Sequence, residues 1–250
     1  MPGGKRISRP IVWVASAMGL CVLLGTSGCA VWRISESIEL ARHSRSFQQY
    51  PADPALRLLV VGDSTAVGTG ASSPAASIAG RLGQAHPKLW VANRAQDGAR
   101  LADVAAQLRE TPEHFDVVLV QAGGNDVIRL SNMDTLRQTV DDVARAARQK
   151  APLVLLMPAG NVGNSPFFFV PLRGWMTSRS RDLHALMREA AANHGAVYVN
   201  LFMERAEDPF VRDSSQHARD GLHPSDAGYG VWFKELMAQT SLATALAAAR

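Results

Sequence analysis

Three residues in the sequence have the side chains that nucleophilic catalysis requires. Ser64 lies in the sequence GDST directly after a short apolar run, and Asp220 lies three residues before His223 in the sequence DGLHP. A serine hydroxyl becomes an effective nucleophile when a histidine takes its proton, and a carboxylate holds that histidine in the right tautomer. At this spacing one loop can present both Asp220 and His223. The pattern therefore predicts a Ser64–His223–Asp220 catalytic triad.

Acyl chemistry at Ser64 also needs hydrogen-bond donors aimed at the oxygen that becomes negative. Asn125, in the sequence GGND, offers a side-chain amide, and Gly98 offers a backbone N–H that a ligand can approach because no Cβ intervenes. Asp97 precedes Gly98, and its carboxylate would oppose the developing charge unless it points away. We expect Asp63 to have a structural role.

Short apolar runs alternate along the chain with segments of helical periodicity. The predicted strands are 58–61, 89–92, 117–120, 153–157 and 197–199, and the predicted helices are 77–86, 99–109, 135–149, 175–193 and 226–238. This alternation predicts a parallel sheet with helices on both faces. Because the carboxyl ends of parallel strands meet at one edge, the polar loops after the first three strands are expected to form one site.

Four motifs occur in order along the chain: GDS after the first strand, a glycine after the second, GxND after the third and DxxH near the end. Together they resemble the four blocks of the SGNH/GDSL hydrolase superfamily, and the resemblance extends over residues 58–234. It implies a three-layer α/β/α sandwich with a five-stranded parallel sheet, the flavodoxin-like SGNH hydrolase fold. This domain would occupy residues 55–250, preceded by an N-terminal apolar helix.

The resemblance also implies a role for each motif residue. Ser64 would be the nucleophile, and its own N–H would be one of three donors in the oxyanion hole. Gly98 and Asn125 would supply the other two donors. His223 would be the base, oriented by Asp220. The family uses no metal and no organic cofactor.

The function implied by this resemblance is that of a serine esterase acting on small-molecule or lipid esters through an acyl-Ser64 intermediate. Carboxylic esters, thioesters and lysophospholipids are all candidate substrates. A carbohydrate O-acetylesterase or an acyltransferase of the cell envelope is an alternative with the same chemistry. A non-catalytic envelope binding module is a further alternative, but such a module would not require Ser64, Asp220 and His223 together.

An aromatic segment follows the predicted fourth strand. Phe167, Phe168 and Phe169 are consecutive and are bounded by prolines. Three neighbouring side chains cannot all face one core, so a packed loop and an acyl-binding or lipid-contacting loop both remain open. If part of this segment binds substrate, it favours an apolar acyl chain over an acetyl group.

The N-terminus has the arrangement of a secretory signal. Three basic residues lie within the first ten positions, an apolar run covers residues 11–24, and small residues precede Cys29. Gly28 and Cys29 resemble the end of a bacterial lipobox, which would make Cys29 a lipidated first residue. Alternatively, the apolar run continues to residue 32 and forms an uncleaved helix of about 22 residues, long enough to span a bilayer.

Residues 1–32 are therefore predicted to be a signal peptide or membrane anchor, and residues 33–54 a linker or helical stalk. Basic residues before the apolar run favour a cytoplasmic N-terminus. The domain would then be periplasmic or extracytoplasmic, either secreted, lipidated or anchored through its N-terminal segment. We expect the part of the chain from about Ala52 onward to be active by itself.

Composition excludes several other classes of protein. The chain has 250 residues with 47% hydrophobic and 19% charged residues, which is typical of a globular protein. Its net charge of +4 arises largely from the basic N-terminus, so it does not indicate nucleic-acid binding. The only two cysteines are Cys21 and Cys29, which excludes a disulfide framework, a cysteine nucleophile and a CxxC metal site in the domain.

Overall fold

The structure is a computed structural model, and it describes residues 31–248. The strands are β1 (Leu56–Gly62), β2 (Leu89–Asn93), β3 (Val117–Gln121), β4 (Leu153–Leu156) and β5 (Val197–Tyr198). The helices are α1 (residues 31–43), α2 (Ser64–Val67), α3 (Ile78–Ala85), α4 (Leu101–Glu110), α5 (Gly124–Ile128), α6 (Met133–Lys150), α7 (Val170–His194), α8 (Pro209–Arg212), α9 (Asp226–Gln239) and α10 (Leu242–Ala248). Short 3₁₀ turns cover Pro74–Ala76, Val162–Asn164 and Ser214–Gln216.

The five strands form one parallel sheet in the order β2-β1-β3-β4-β5. The predicted fold class is confirmed, and each predicted strand and long helix overlaps an observed one. The short helices α2, α5, α8 and α10 were not predicted. Three of them have only four or five residues, too few for an apolar period to be visible in the sequence.

Both faces of the sheet are covered because successive residues of a strand point to opposite sides. In β1, Leu59 and Val61 belong to a core cluster with residues of α4, α6 and α7. Leu58 and Val60 belong to a second cluster with residues of α3, α9 and α10. This double burial explains why the strands read as continuous apolar runs.

The loops that follow β1, β2 and β3 are joined by backbone hydrogen bonds. The N–H of Gln96, after β2, donates to the carbonyl of Gly62 at 3.1 Å. The N–H of Asp63, after β1, donates to the carbonyl of Gln121 at the end of β3, also at 3.1 Å. The polar loops predicted to converge at this edge of the sheet are therefore in direct contact.

Residues 33–54, predicted to be a linker or stalk, pack against the domain. Gln49 exchanges two backbone hydrogen bonds with Val91 of β2, at 3.1 and 2.8 Å, and so extends the edge of the sheet. The ring of Phe47 lies against Gly83, whose lack of a side chain leaves room for it. The segment that leads into the domain is thus part of its packing.

The signal peptide or anchor predicted for residues 1–32, including Cys29, lies outside the described residues except for its last two positions. Among the helices of residues 31–248, none is both long enough and apolar enough to cross a bilayer.

One buried histidine lies between α7 and the sheet. His184 is 2% exposed, and its Nε2–H donates to the carbonyl of Ala159 at 2.8 Å. Nδ1 is then an acceptor, 2.6 Å from the hydroxyl of Tyr198. Burial lowers the pKa of His184 to about 4, because a charged imidazole would lose its hydration.

This pKa predicts an acid-sensitive contribution to stability. His184 takes up a proton near pH 6.5 in the unfolded chain but only near pH 4 in the folded protein. The contribution of the neutral imidazole to the free energy of unfolding is therefore complete above pH 6.5 and decreases as the pH falls towards 4. We expect the loss of unfolding free energy between pH 7 and pH 4 to be about 3 kcal/mol smaller in His184→Gln than in the wild type. Urea unfolding at both pH values measures it, with exposed His114→Gln as the control. An equal loss in His184→Gln and wild type would contradict the assignment.

Candidate active site

Ser64 lies at the first position of α2, at the point where β1 ends. Gly62 has φ +156°, and a Cβ on it would lie 2.0 Å from the carbonyl oxygen of Gln121. Only glycine therefore allows β1 to turn this close to β3. Asp63 caps the helix through a hydrogen bond from the N–H of Thr65 at 2.9 Å. Ser64 is 9% exposed and lines a cavity at this edge of the sheet.

A buried glutamine fixes the turn between β1 and Ser64. Oε1 of Gln107, on α4, accepts from the N–H of Gly62 at 2.8 Å, and its Nε2 donates to the carbonyl of the same glycine at 3.0 Å. A second amide, Nε2 of Gln121, donates to the carbonyl of Thr65 at 2.9 Å. The backbone on both sides of Ser64 is thereby fixed. Sequence reasoning missed Gln107, because its position in a helix carries no signal of a partner 45 residues away.

The structure brings Ser64, His223 and Asp220 together in one hydrogen-bonded row. Nδ1 of His223 lies 2.6 Å from Oδ2 of Asp220, and Nε2 of His223 lies 2.9 Å from Oγ of Ser64. Because a carboxylate only accepts, Nδ1 carries the proton and Nε2 is left to accept from the Ser64 hydroxyl. This is the tautomer in which the imidazole can take up the serine proton.

Asp220 is fully buried, at 0% exposure, and its carboxylate accepts several hydrogen bonds. Oδ1 accepts from the backbone N–H groups of Leu222 and His223 at 2.9 and 3.1 Å, while Oδ2 faces the imidazole. Burial alone raises the pKa of Asp220, but the hydrogen bonds and the His223 charge outweigh it and lower the pKa below its usual value. The group is thus held as a carboxylate at neutral pH.

Both predicted oxyanion donors line the same cavity as Ser64. Nδ2 of Asn125, in the first turn of α5, donates to the carbonyl of Ala99 at 3.1 Å. An amide group has two hydrogens, so one donor of Asn125 is still available for a ligand. Gly98 has φ +76°, a left-handed conformation that places little steric burden on glycine.

The two carboxylates beside these donors are engaged with other groups. Oδ1 of Asp97 accepts from the hydroxyl of Thr69 at 2.6 Å. Asp63 accepts from the N–H and hydroxyl of Thr65 and, through Oδ2, from the N–H of Gly123 at 3.2 Å. Burial raises the pKa of Asp63 in spite of these bonds. Its contacts link the serine turn to the loop that carries Asn125.

The cavity has a volume of about 540 Å³, which is within the usual range for small-molecule sites. Ile128, Val162 and Leu222 contribute apolar side chains to its lining, and Asn161 and Asp208 contribute polar ones. Four residues of α1 also line it, namely Ser37, Ile38, Ala41 and Arg42. The sequence predicted a linker or helical stalk there but not that a helix face would border the site.

Phe167, Phe168 and Phe169 do not line this cavity, so of the alternatives left open for this segment the structure favours the packed loop for Phe168, and lipid contact stays a prediction. Phe168 is buried in the core and packs edge-to-face against Phe167, with ring centroids 5.1 Å apart. Phe169 is 59% exposed at the start of α7. The neighbouring residues Asn164 and Ser165 line the cavity instead.

His217 lies three residues before Asp220 in the chain, but it is not the histidine that contacts Ser64. It lines the cavity, but its ring packs against Phe210 with centroids 5.1 Å apart. Its Nδ1 is buried and has no hydrogen-bond partner within residues 31–248. Burial lowers the pKa of His217.

The parallel sheet with helices on both faces, and the site at its carboxyl edge, define a three-layer α/β/α protein. The chain belongs to the GDSL-like lipase/acylhydrolase family, whose sequence pattern matches residues 60–231. The predicted membership of the SGNH/GDSL superfamily is thereby confirmed, and the protein is a hydrolase acting on ester bonds. No curated protein matches the chain at a significant level.

Solved structures with this fold include a lipase, a phospholipase and an esterase. An extracellular lipase from Streptomyces rimosus is 19% identical, with a TM-score of 0.55 over 74% of this chain and 100% of that one. A phospholipase A1 from Streptomyces albidoflavus is 20% identical, with a TM-score of 0.58 over 74% and 99%. An acetyl xylan esterase from Geobacillus stearothermophilus is 19% identical, with a TM-score of 0.55 over 74% and 94%. At these identities the likeness concerns the fold alone.

The turn before Ser64 generates a prediction for Gly62→Ala. The added Cβ would meet the Gln121 carbonyl at 2.0 Å in a backbone conformation that L-residues rarely adopt, so we expect a loss of at least about 2 kcal/mol in unfolding free energy. Gly174→Ala in α7 is the control, since a Cβ there meets nothing within 4 Å, and we expect it to be neutral or slightly stabilising. Thermal unfolding of both variants tests this. Equal melting temperatures for Gly62→Ala and the wild type would contradict the stated constraint.

Proposed function

We propose that the protein hydrolyses carboxylic esters through a covalent acyl intermediate on Ser64. The observation that carries this proposal is the row of hydrogen bonds from Ser64 Oγ to His223 Nε2 at 2.9 Å and from His223 Nδ1 to Asp220 at 2.6 Å. It supplies a nucleophile, a base and an orienting carboxylate in contact.

In the first half of the reaction, Oγ of Ser64 attacks the ester carbonyl carbon while its proton moves to Nε2 of His223. The carbonyl π bond becomes an oxyanion. When the oxyanion collapses, the bond to the alcohol oxygen breaks, and His223 returns the proton to the departing alcohol. The acyl group remains on Ser64.

In the second half, water takes the place of the alcohol. His223 removes a proton from the water as its oxygen attacks the acyl carbon, and the same imidazole then protonates Ser64 as the acid departs. Asp220 stays ionised throughout and stabilises the imidazolium at each step, in keeping with its lowered pKa.

The oxyanion is stabilised in this proposal by the N–H groups of Ser64 and Gly98 and by the free amide hydrogen of Asn125. The carboxylate of Asp97 accepts a hydrogen bond from the hydroxyl of Thr69. Because this bond stabilises the negative charge of Asp97, it supports the presence of a carboxylate next to the proposed oxyanion hole.

The substrate we favour is an ester with an aliphatic acyl chain. Support comes from the apolar side chains that line the cavity, among them Ile38, Ile128 and Leu222. Esters of hydroxyl-rich alcohols such as carbohydrates are the second candidate, because Asn161, Asn164 and Asp208 place hydrogen-bonding groups in the same cavity. An acyltransferase would use the same residues with an alcohol in place of water.

We further propose that the domain acts outside the cytoplasm, delivered by residues 1–32 as a signal peptide or anchor. The basic start, the apolar run and the small residues before Cys29 support this proposal.

Ser64→Ala is expected to abolish the hydrolysis of p-nitrophenyl esters, because no other nucleophile contacts His223 Nε2 in the proposed site. A fluorophosphonate should label the wild type at Ser64 and leave the variant unlabelled. Ser73→Ala is the matched control, since this serine is exposed and its side chain makes no capping bond. Hydrolysis that persists in Ser64→Ala would refute the proposed nucleophile.

Asn125→Ala should lower kcat by about 10²- to 10³-fold, the usual cost of losing one oxyanion donor, with little change in KM. Steady-state kinetics on p-nitrophenyl butyrate measures both constants, and the melting temperature reports any effect of losing the bond to Ala99. A kcat near that of the wild type would remove Asn125 from the oxyanion hole.

A further inference from the structure

Helix α1 precedes the region matched by the family pattern, yet it borders the catalytic cavity. The family match begins at residue 60, whereas the lining of the cavity includes Ser37, Ile38, Ala41 and Arg42. Positions i, i+1, i+4 and i+5 of a helix lie on one face. The second half of α1 therefore turns one face towards the space that contains Ser64.

Two sets of contacts hold α1 in this place. Oε2 of Glu36 forms an ion pair with Nε of Arg219 at 2.6 Å, and Arg219 is the residue directly before Asp220. Helix α1 ends at residue 43. The chain that follows is fixed to the sheet edge through the Gln49 bonds described above. The helix is thus tied to the catalytic loop on one side and to β2 on the other.

The chemistry of this face suits an aliphatic group. Ile38 is 48% exposed although it is apolar, and its exposed surface borders the cavity. Ala41, one turn closer to the end of the helix, lines the same cavity with a small side chain. Ile128 and Leu222 supply further apolar lining. A hydrocarbon chain lying against Ile38 would remove apolar surface from water on both partners.

We propose that α1 is a specificity-determining wall of the active site, in which Ile38 and Ala41 contact the acyl chain and favour medium-length aliphatic esters over acetyl esters. This inference rests on the proposed esterase function and names its substrate class. The part of the chain from about Ala52 onward, expected to be active by itself, would lack this wall.

The test compares two isoleucines of the same helix in the full-length protein. Ile38→Ala should lower kcat/KM for p-nitrophenyl octanoate by about tenfold, mainly through KM, and change that for p-nitrophenyl acetate by less than about twofold, because in this proposal Ile38 contacts the longer acyl chain and not the acetyl group. Ile34→Ala is the matched control: Ile34 is 49% exposed, one turn away, and does not line the cavity. We expect its octanoate-to-acetate ratio to equal that of the wild type.

A second pair of variants fills space instead of removing it. Ala41→Trp should lower octanoate turnover by about tenfold or more while acetate turnover is retained, because the indole would occupy the path of the longer chain. Ser35→Trp, at an exposed position outside the cavity lining, should leave the ratio unchanged. Retained acetate hydrolysis shows that each variant is folded.

The ion pair between Glu36 and Arg219 provides a third test of the proposal. Glu36→Arg should lower the octanoate-to-acetate ratio by about two- to threefold, and the double variant Glu36→Arg with Arg219→Glu should restore it, because a partly exposed pair of this kind makes a small contribution to the position of α1.

An unchanged ratio in both Ile38→Ala and Ala41→Trp would overturn the proposed wall. That result leaves the esterase proposal standing, because the Ser64→Ala experiment tests it separately.

Discussion

The hydrogen bond between Ser64 Oγ and His223 Nε2, at 2.9 Å, is the contact on which the proposed chemistry depends. It joins residues that are 159 positions apart in the chain, so it forms only when the chain is folded. Each end is held independently. The serine turn is fixed by Gly62 and Gln107, and the imidazole is fixed by a buried carboxylate at 2.6 Å. Such preorganisation lets the site meet a developing charge without rearranging.

The parallel sheet makes this arrangement available. β1 and β3 lie side by side, so the turn after one and the loop after the other contact each other through Asp63 and the N–H of Gly123. Ser64 and Asn125 are thereby brought to one cavity by neighbouring strands. The loop bearing Asp220 and His223 precedes α9, which packs on one face of the sheet through Tyr229 and Leu236. Local turns point the side chains, and the sheet sets the distances between loops.

Much of this architecture could be predicted from the sequence because its signals are local. Buried strands appear as apolar runs, and the motif residues fall at strand ends. Three features could not be predicted, because each depends on a partner distant in the chain. They are the two hydrogen bonds from Gln107 to Gly62, the burial of Phe168 and the packing of α1. A periodic apolar face, as in α1, indicates that a helix packs but not against what. The roles of the N-terminal segment and of Cys29 stay predictions.

The most direct test of the account is to trap the acyl-enzyme. The full-length protein would be mixed with p-nitrophenyl octanoate, quenched in acid during turnover, digested and analysed by mass spectrometry. We expect an octanoyl group on the peptide that contains Ser64, located on that serine by fragmentation. An octanoyl group on a different residue, in protein that is turning over the ester, would contradict it.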